Sequence, residues 1–151
     1  FSTSSSAATI PVTLKTVSDD LGVKKDVASF VVPVGATINM DGTAIMQGLA
    51  TMFIASTVGV ELSLVQYGQI VLLAMVTSIG TAAVPSAGTV TLALILGSVG
   101  LPLDAIGLIL AVDRILDMIR TSVNVCGDAA VSCIVAKSEN ELEEKTFNNL
   151  G

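Results

Sequence analysis

Charged residues divide this chain into long apolar segments. Between Glu61 and Asp104 the sequence has 42 consecutive residues without Asp, Glu, Lys or Arg. As one helix this run would be about 63 Å long, roughly twice the hydrocarbon thickness of a bilayer. The run must therefore turn, and its middle, residues 80–88, contains the Gly, Pro and Ser residues typical of a turn. The pattern predicts a helical hairpin over residues 62–103.

The absence of charge in this turn indicates where the hairpin lies. A turn exposed on the far side of a membrane is expected to carry a charge, and residues 80–88 carry none. We therefore predict a re-entrant hairpin, whose tip stays at membrane depth and is buried in protein or lines a cavity. Two full spans joined by a tight uncharged loop are the alternative.

The preceding apolar segment, residues 27–60, is interrupted near its middle by polar residues. Asn39 and Asp41 lie there, with Pro33 and Gly35 just before them. Gly and Pro weaken a helix, and a carboxylate at membrane depth needs partners. We predict two half-helices with an unwound polar centre, where oxygen atoms can hold a hard monovalent cation. A loop motif outside the membrane is the alternative.

The last apolar segment, residues 105–136, carries one polar stripe. Its five polar residues are spaced 4, 3, 4 and 4 apart and so share one helix face: Asp113, Asp117, Arg120, Asn124 and Asp128. Charges inside a membrane are costly and usually mark paths for ions or substrates. An arginine for an anion, carboxylates for cations and hairpins as gates predict cation-coupled transport of a small carboxylate. A salt-bridge ladder or a soluble amphipathic helix is the alternative.

The two ends of the chain are polar. Residues 1–8 are rich in Ser, Thr and Ala, and residues 137–151 form a tail with four glutamates that we expect to be solvated and partly disordered. The lysines fall on one side if the central segments run as span, hairpin and span: Lys15, Lys24, Lys25, Lys137 and Lys145. The positive-inside rule places this side and the C-terminus in the cytoplasm.

Composition supports a membrane protein and argues against several other classes. Only 13% of residues are charged, against about 25% in an average soluble domain. The chain has no histidine, and no nucleophile and base are paired, which argues against an enzyme. A net charge of -6 without a basic patch argues against nucleic acid. Few aromatic residues and a start inside a polar run lead us to expect part of a longer protein that shields this surface.

A weak internal repeat connects the two Ser-containing turns. Residues 4–11 and 78–85 share Ser, Ala and Pro at matching places, 74 residues apart. With the topology above, the two turns would enter the membrane from opposite faces. This arrangement is typical of inverted-repeat secondary transporters, in which binding sites form at broken helices near the midplane.

Five motifs together indicate a known family. They are Ser4-Ser5-Ser6, Thr-Ile-Pro-Val-Thr at residues 9–13, Gly-Ala-Thr-Ile-Asn-Met-Asp-Gly-Thr at residues 35–43, Gly-Thr-Ala-Ala-Val-Pro at residues 80–85, and Asp-Met-Ile-Arg-Thr-Ser-Val-Asn-Val-Cys-Gly-Asp at residues 117–128. In sequence and order they resemble the dicarboxylate/amino acid:cation symporters. This family contains neuronal glutamate transporters and archaeal aspartate transporters.

The resemblance implies an all-α membrane protein, an inverted-repeat secondary transporter with re-entrant helical hairpins and a broken transmembrane helix. Residues 1–136 would be the C-terminal part of its transport domain. This part would consist of the second arm of hairpin 1 (1–22), broken span 7 (27–60), re-entrant hairpin 2 (62–103) and span 8 (105–136). Residues 137–151 would be a polar cytoplasmic tail. A missing N-terminal half would form the scaffold of a homotrimer in the cell membrane, against which the transport domain moves like an elevator.

The resemblance also implies a binding site for aspartate or glutamate. Carried over by position, the substrate-binding residues would be Ser6, Thr43, Val84, Asp117, Arg120, Thr121 and Asn124. Arg120, with Thr43, would bind the side-chain carboxylate, and Asp117 would bind the amino group. Asn124 and the Ser6 amide would bind the α-carboxylate. Archaeal relatives have an arginine at the position of Ser4, and animal relatives have one at the position of Met118, so this chain departs from both.

Sodium ions would be the coupling ions, with no other cofactor. One site would combine Asp128 and Asn124 with the carbonyls of Gly35 and Asn39. A second would combine Met40 with the carbonyls of Thr37, Ser78, Ile79 and Thr81, and a third would use the side chains of Asn39 and Asp41. Proton-coupled bacterial relatives share much of this pattern, so a proton-coupled glutamate or dicarboxylate symporter is an alternative. A passive ion channel is the other alternative.

Overall fold

The computed structural model describes residues 1–148, which are helical. Their α-helices are α1 (Ser6–Lys15), α2 (Lys25–Ile38), α3 (Asp41–Thr57), α4 (Leu64–Ile79), α5 (Ala87–Ser98), α6 (Ile106–Leu110), α7 (Asp113–Ser138) and α8 (Glu144–Asn148). A π-helical turn, Thr16–Asp20, follows α1, and a 3₁₀ turn, Leu103–Ala105, precedes α6. Within residues 1–148 the only β-pairing is an isolated antiparallel bridge between Val23 and Leu142. The all-α class is therefore confirmed for the described part of the chain.

The predicted interruption of residues 27–60 is present. Helix α2 ends at Ile38 and α3 begins at Asp41, because Asn39 and Met40 have ψ angles of 74° and 53°. The N–H of Asn39 closes the last turn of α2 by donating to the carbonyl of Gly35 at 2.8 Å. The break leaves the first amides of α3 available to groups on another helix.

The predicted hairpin within residues 62–103 is also present as two packed helices, α4 and α5. Ser63 and Gln66 form a reciprocal capping box at the start of α4. The Gln66 amide also donates to the carbonyl of Val99 at 3.2 Å, which joins the two ends of the hairpin remote from its turn. The turn itself, residues 80–88, is called the hairpin tip below. Within the tip, Ser86 directly precedes α5 and has the left-handed conformation, with a φ of 61°.

The last apolar segment differs from the prediction of one helix over residues 105–136. It is divided into α6 and α7 by Ala111 and Val112, and α7 continues to Ser138. Neither Gly nor Pro marks this break in the sequence. Asp113 begins α7, and its carboxylate accepts hydrogen bonds from residues near the hairpin tip. The break at Ala111 and Val112, which the local sequence does not indicate, is thus accompanied by the contact of Asp113 with the hairpin.

Helix α7 connects two apolar cores. The first lies among α3, α4, α5 and α6, and Leu116 packs against it. The second lies around α2 and the turn after α1, and Ala129, Cys133 and Ala136 of α7 belong to it or pack on it. The polar residues of α7 between Leu116 and Ala129 face neither core. They are buried against α3, the break and the hairpin tip, where the candidate site forms.

The C-terminal segment folds back onto the loop before α2. The N–H of Lys24 donates to the carbonyl of Glu141 at 3.1 Å, and the N–H of Glu143 donates to the carbonyl of Gly22 at 2.8 Å. The side chains of Lys24 and Glu141 also form an ion pair. The tail is therefore held by these contacts up to α8, whereas we expected it to be partly disordered. Residues 149–151 of the predicted tail lie outside the described residues.

Much of the outer surface is apolar. Large side chains on several helices are exposed, including Phe30 on α2, Leu64 on α4 and Ile134 on α7. Within residues 1–148, α7 alone is long and apolar enough to cross a membrane, and α4 and α5 are shorter apolar helices. Such an extended apolar surface on a monomer marks contact with lipid or protein.

Candidate functional site

A small polar cavity lies where the two Ser-containing turns meet α3 and α7. Its volume is about 10 Å³, which is room for about one water molecule. All seven predicted substrate-binding residues line it: Ser6, Thr43, Val84, Asp117, Arg120, Thr121 and Asn124. The structure therefore brings together residues that are up to 118 positions apart in the sequence (124 − 6 = 118).

Arg120 is the positive centre of this cavity and is 4% exposed. Its Nε donates to Asp117 Oδ1 at 2.7 Å. Nη2 also lies 2.7 Å from that oxygen. This second contact lacks hydrogen-bond geometry, so Nη2 has no acceptor within residues 1–148. The guanidinium can thus give further hydrogen bonds to a planar anion such as a carboxylate.

The hairpin tip closes directly over Arg120. A Cβ added to Gly88 would lie 2.7 Å from Nη1 of Arg120, so a larger residue here would force the end of the Arg120 side chain to shift. The backbone N–H of Ser86 donates to Asp117 Oδ2 at 2.9 Å. The carboxylate of Asp117 therefore accepts hydrogen bonds from both the tip and Arg120.

The first turn also meets the hairpin tip at the cavity. The hydroxyl of Ser5 donates to the carbonyl of Ala83 at 2.7 Å. The same hydroxyl accepts from the N–H of Ala8 and caps α1. Ser4, in the left-handed region with a φ of 49°, lines the cavity, and its buried Oγ has no hydrogen-bond partner within residues 1–148. Two chain turns from distant parts of the sequence thus enclose one site.

Asn124 fixes the start of α3 beside the cavity. Its Oδ1 accepts from the N–H of Gly42 at 2.8 Å, and its Nδ2 donates to Thr43 Oγ1 at 3.3 Å. A Cβ on Gly42 would lie 2.4 Å from the carbonyl oxygen of Arg120, so α3 and α7 approach backbone to backbone here. The helix break and the glycine after it therefore position Thr43 against the polar stripe.

A second polar cluster lies one turn beyond Asn124 on α7. Asn39 Nδ2 donates to Asp128 Oδ1 at 3.1 Å. A Cβ on Gly35 would lie 2.5 Å from the same oxygen, and a Cβ on Gly127 would lie 2.5 Å from Asn39 Nδ2. Asp128 is 1% exposed and forms no ion pair within residues 1–148. Gly35, Asn39 and Asp128, which were predicted to share a cation site, are therefore neighbours.

The side chains of the other predicted sodium ligands differ in burial. Met40 and Thr81 line the polar cavity, and Ser78 is buried with its hydroxyl bonded to the carbonyl of Met75. Three further predicted ligands have exposed side chains: Thr37, Asp41 and Ile79. The contacts thus join Gly35, Asn39 and Asp128, and the second and third predicted sets stay predictions.

A larger apolar groove lies on the other side of Arg120, between α3, α6 and α7. Its volume is about 470 Å³, and apart from Arg120 its lining is apolar, with Leu49, Phe53 and Ile119 among the lining residues. An amino acid zwitterion would lose its water there without gaining polar partners. The small polar cavity is therefore the candidate substrate site.

The family profile described as the sodium:dicarboxylate symporter family (SDF) matches residues 1–138. The chain belongs to this family. It is 53% identical over 133 residues to an "Excitatory amino acid transporter" of Caenorhabditis elegans, an alignment that covers 88% of this chain and 26% of the relative. It is 52% identical over 142 residues to "Excitatory amino acid transporter 2" of Mus musculus, covering 93% of this chain and 25% of the relative.

A human relative gives a similar alignment. The chain is 50% identical over 144 residues to "Excitatory amino acid transporter 1" of Homo sapiens, covering 95% of this chain and 27% of the relative. The chain therefore spans about a quarter of the length of these members of the symporter family.

Sequence reasoning missed Gln47, a buried polar residue on α3 of this symporter-family chain. Its Nε2 donates to the carbonyl of Gly88 and to Thr91 Oγ1, and its Oε1 accepts from Thr77 Oγ1 at 2.9 Å. Gln47 thus holds both arms of the hairpin. The signal that could have found it is the spacing of four that joins Thr43, Gln47 and Thr51 on one helix face.

The role of Asp113 was also missed, although the residue was placed on the polar stripe. Its Oδ2 accepts from the Ser86 hydroxyl at 2.8 Å, and its Oδ1 accepts from the Thr89 hydroxyl at 2.6 Å. Asp113 Oδ1 also lies 3.9 Å from Arg120 Nη1. Thr89 and Ser86 lie 24 and 27 positions before Asp113 in the sequence. No local pattern predicts such pairs, because they depend on how the hairpin folds over α7.

Proposed function

We propose that this chain is the C-terminal part of the transport domain of a secondary active symporter for aspartate or glutamate, driven by sodium. The observation that carries the proposal is the buried Arg120 guanidinium, which lines a polar cavity with an Nη2 group that lacks an acceptor. A planar guanidinium binds a carboxylate through two parallel hydrogen bonds. A substrate with a second carboxylate therefore matches this residue.

The remaining cavity residues are suited to an α-amino acid. Asp117 offers a carboxylate to the substrate ammonium group, with Thr121 and the backbone of Val84 nearby in the lining. Ser6 begins α1, where first-turn amides lack intrahelical acceptors and favour an anion. In our proposal this amide and Asn124 bind the α-carboxylate, while Thr43 assists Arg120 at the side-chain carboxylate.

Substrate entry requires movement of the hairpin tip. A cavity of about 10 Å³ is far too small for an amino acid. Gly88 and Ser86 cover Arg120 and Asp117, so outward movement of the tip would free both side chains. We infer that the hairpin is the gate of the site. The lengths of α4 and α5, about 24 Å and 18 Å, support a re-entrant hairpin over two full spans, because a bilayer core is about 30 Å thick.

Sodium coupling is proposed to use Asp128 and its neighbours Gly35 and Asn39, called the Asp128 cluster. A buried carboxylate without an ion-pair partner is costly and is stabilised by a cation. Gly35 and Asn39 lie against Asp128 at the helix break, and carboxylate, carbonyl and amide oxygens are ligands that suit a hard cation. Met40, Thr37, Ser78, Ile79, Thr81 and Asp41 stay proposed ligands for further sodium ions, with Asn124 shared by the Asp128 site.

The proposal extends to the whole protein through the family. We propose a multi-pass protein of the cell membrane with a cytoplasmic C-terminus, in which this domain moves like an elevator against a trimeric scaffold. The meeting of the two turns at one cavity supports the inverted-repeat arrangement. Membership of the sodium:dicarboxylate symporter family supports the coupling ion and the substrate class.

Replacing Arg120 tests the substrate assignment. In liposomes containing the full-length transporter, Arg120→Cys is expected to lower aspartate uptake by about 100-fold, because charge-assisted hydrogen bonds contribute about 1.5–3 kcal/mol each. Uptake of a neutral amino acid such as serine is expected to persist or appear. Radiolabelled uptake under a sodium gradient measures both.

The matched control is Arg114→Cys, since Arg114 lies on the same helix with an exposed side chain. It is expected to keep uptake close to that of the parent protein. Aspartate uptake by Arg120→Cys equal to that of the control would refute the assignment. Uptake driven by a proton gradient and indifferent to sodium would support the proton-coupled alternative.

A further inference from the structure

The carboxylate of Asp113 joins α7 to the hairpin through two hydroxyl groups. Ser86 Oγ donates to Oδ2 at 2.8 Å, and Thr89 Oγ1 donates to Oδ1 at 2.6 Å, so each carboxylate oxygen holds one hydroxyl. We call these three residues the Asp113 cluster. Asp113 is 5% exposed, and hydrogen bonds from hydroxyls to a buried carboxylate are short and strong.

Ser86 is held in a conformation that it would not keep by itself. Its φ of 61° and ψ of 6° lie in the left-handed region, which is unfavourable for a residue with a Cβ. Its hydroxyl is bound by Asp113 and its N–H by Asp117. Residues in such conformations persist where surrounding contacts fix them, and they often occur in segments that switch between two states.

Asp113 differs from Asp117 in its access to the substrate. Asp117 lines the polar cavity and Asp113 does not. A substrate ammonium group can therefore displace the Ser86 N–H from Asp117 while Asp113 still holds the two hydroxyls. Any effect of Asp113 on substrate binding must act through the hairpin or through Arg120, whose Nη1 lies 3.9 Å from Asp113 Oδ1.

We propose that Asp113 is a positioning residue that holds the hairpin tip closed over the substrate site through the hydroxyls of Ser86 and Thr89. This inference rests on the proposed function, in which the hairpin is the gate. It identifies the contact that must break when the gate opens. Gln47 also bonds Thr77 and Thr91, which lie outside the tip, and these two contacts can persist while the tip moves.

A cysteine at a buried position of the tip measures opening directly. Ala83 is buried, so Ala83→Cys should react slowly with a thiol reagent when the tip is closed. The two native cysteines, Cys126 and Cys133, are first replaced by serine. The modification rate is measured on the full-length transporter in liposomes without substrate, and uptake of radiolabelled aspartate is measured in parallel.

Thr89→Val removes one hydroxyl and keeps the side-chain shape. It is expected to raise the modification rate about tenfold, because a hydrogen bond to a buried charge is lost. Ser86→Gly, which keeps the left-handed backbone available, is expected to act in the same direction. The control is Ser98→Ala, whose hydroxyl bonds only the carbonyl of Ile95 in its own helix.

A double-mutant cycle separates the Asp113 cluster from general loosening of the hairpin. In an Asp113→Ala background, Thr89→Val should have little further effect, because the acceptor of the Thr89 hydroxyl is already gone. The proposal would be overturned if Thr89→Val and Ser86→Gly each raised the modification rate less than about threefold above that of the control. Full additivity in the cycle would overturn it as well.

The same experiment distinguishes failure of this inference from failure of the proposed function. If the parent protein, with Ala83 intact, takes up neither aspartate nor glutamate, the proposed function fails, while the cysteine reaction still tests whether Asp113 holds the tip. If the parent protein transports aspartate and the reaction rates do not change, only the inference about Asp113 fails.

Discussion

The carboxylate of Asp128 is almost fully shielded from solvent and receives one side-chain hydrogen bond, from Asn39. A shielded carboxylate that lacks a basic partner favours a bound cation. We therefore predict that Asp128→Asn, which keeps the shape and removes the charge, raises the sodium concentration needed for half-maximal aspartate uptake by about tenfold or more. The expected size corresponds to about 1.4 kcal/mol or more of lost attraction. Uptake measured against sodium concentration checks it.

Asp26→Asn is the control for this prediction. Asp26 lies in the first turn of α2 with an exposed side chain, so its neutralisation should leave the sodium dependence unchanged. An Asp128→Asn protein with the sodium dependence of the parent would remove Asp128 from the proposed cation site.

At the residue scale, the sequence was informative where functional groups share one helix. The spacing of Arg120, Asn124 and Asp128 placed them on one face of α7, and all three are buried. The pairings of Gln47 and Asp113 were not predicted, because their partners lie on the hairpin. Those contacts depend on how separate helices pack, which periodicity within one helix does not describe.

At the scale of elements, Gln47 joins α3 to both arms of the hairpin and is fully buried, at 0% exposure. We predict that Gln47→Leu loosens α4 and α5 together, because the Thr77 hydroxyl and the Gly88 carbonyl lose their partner. Each buried polar group left without one costs about 1–3 kcal/mol. Hydrogen exchange of the full-length protein in detergent should show faster exchange in both arms of the hairpin.

Thr57→Val provides the comparison for this experiment. The Thr57 hydroxyl lies on the same helix and bonds only the carbonyl of Phe53, within that helix. Its loss should leave exchange in the hairpin unchanged. Faster exchange spread evenly over α1 and α2 in Gln47→Leu would contradict a specific role at the hairpin.

The helix boundaries show which elements a sequence pattern can locate. The break at Asn39 and Met40 was predicted because Gly, Pro and polar residues interrupt an apolar run there. The break at Ala111 and Val112 was not, since both residues are compatible with a helix. The docked tail was also missed, because main-chain hydrogen bonds between residues 22–24 and 141–143 leave little trace in side-chain chemistry.

At the scale of the whole molecule, the two ends of the helical assembly differ in charge. Lys24 pairs with Glu141, so the loop before α2 and the C-terminal segment lie at one end, together with the adjacent Lys25 and Lys137. The Gln66 contact with Val99 brings together the segments that follow Glu61 and precede Asp104. Because the lysines cluster at one end, the positive-inside rule predicts that this end faces the cytoplasm.

Single cysteines at the two ends test this orientation in the full-length protein with Cys126 and Cys133 replaced by serine. A membrane-impermeant thiol reagent applied to intact cells should label Glu61→Cys and should leave Lys25→Cys unlabelled until the cells are permeabilised. Both parent side chains are exposed, so burial in this domain should not limit the reaction. Labelling of Lys25→Cys from outside would invert the proposed topology. It would also turn the α4–α5 hairpin towards the cytoplasm, so the gate inferred for entry would open on the opposite side of the membrane.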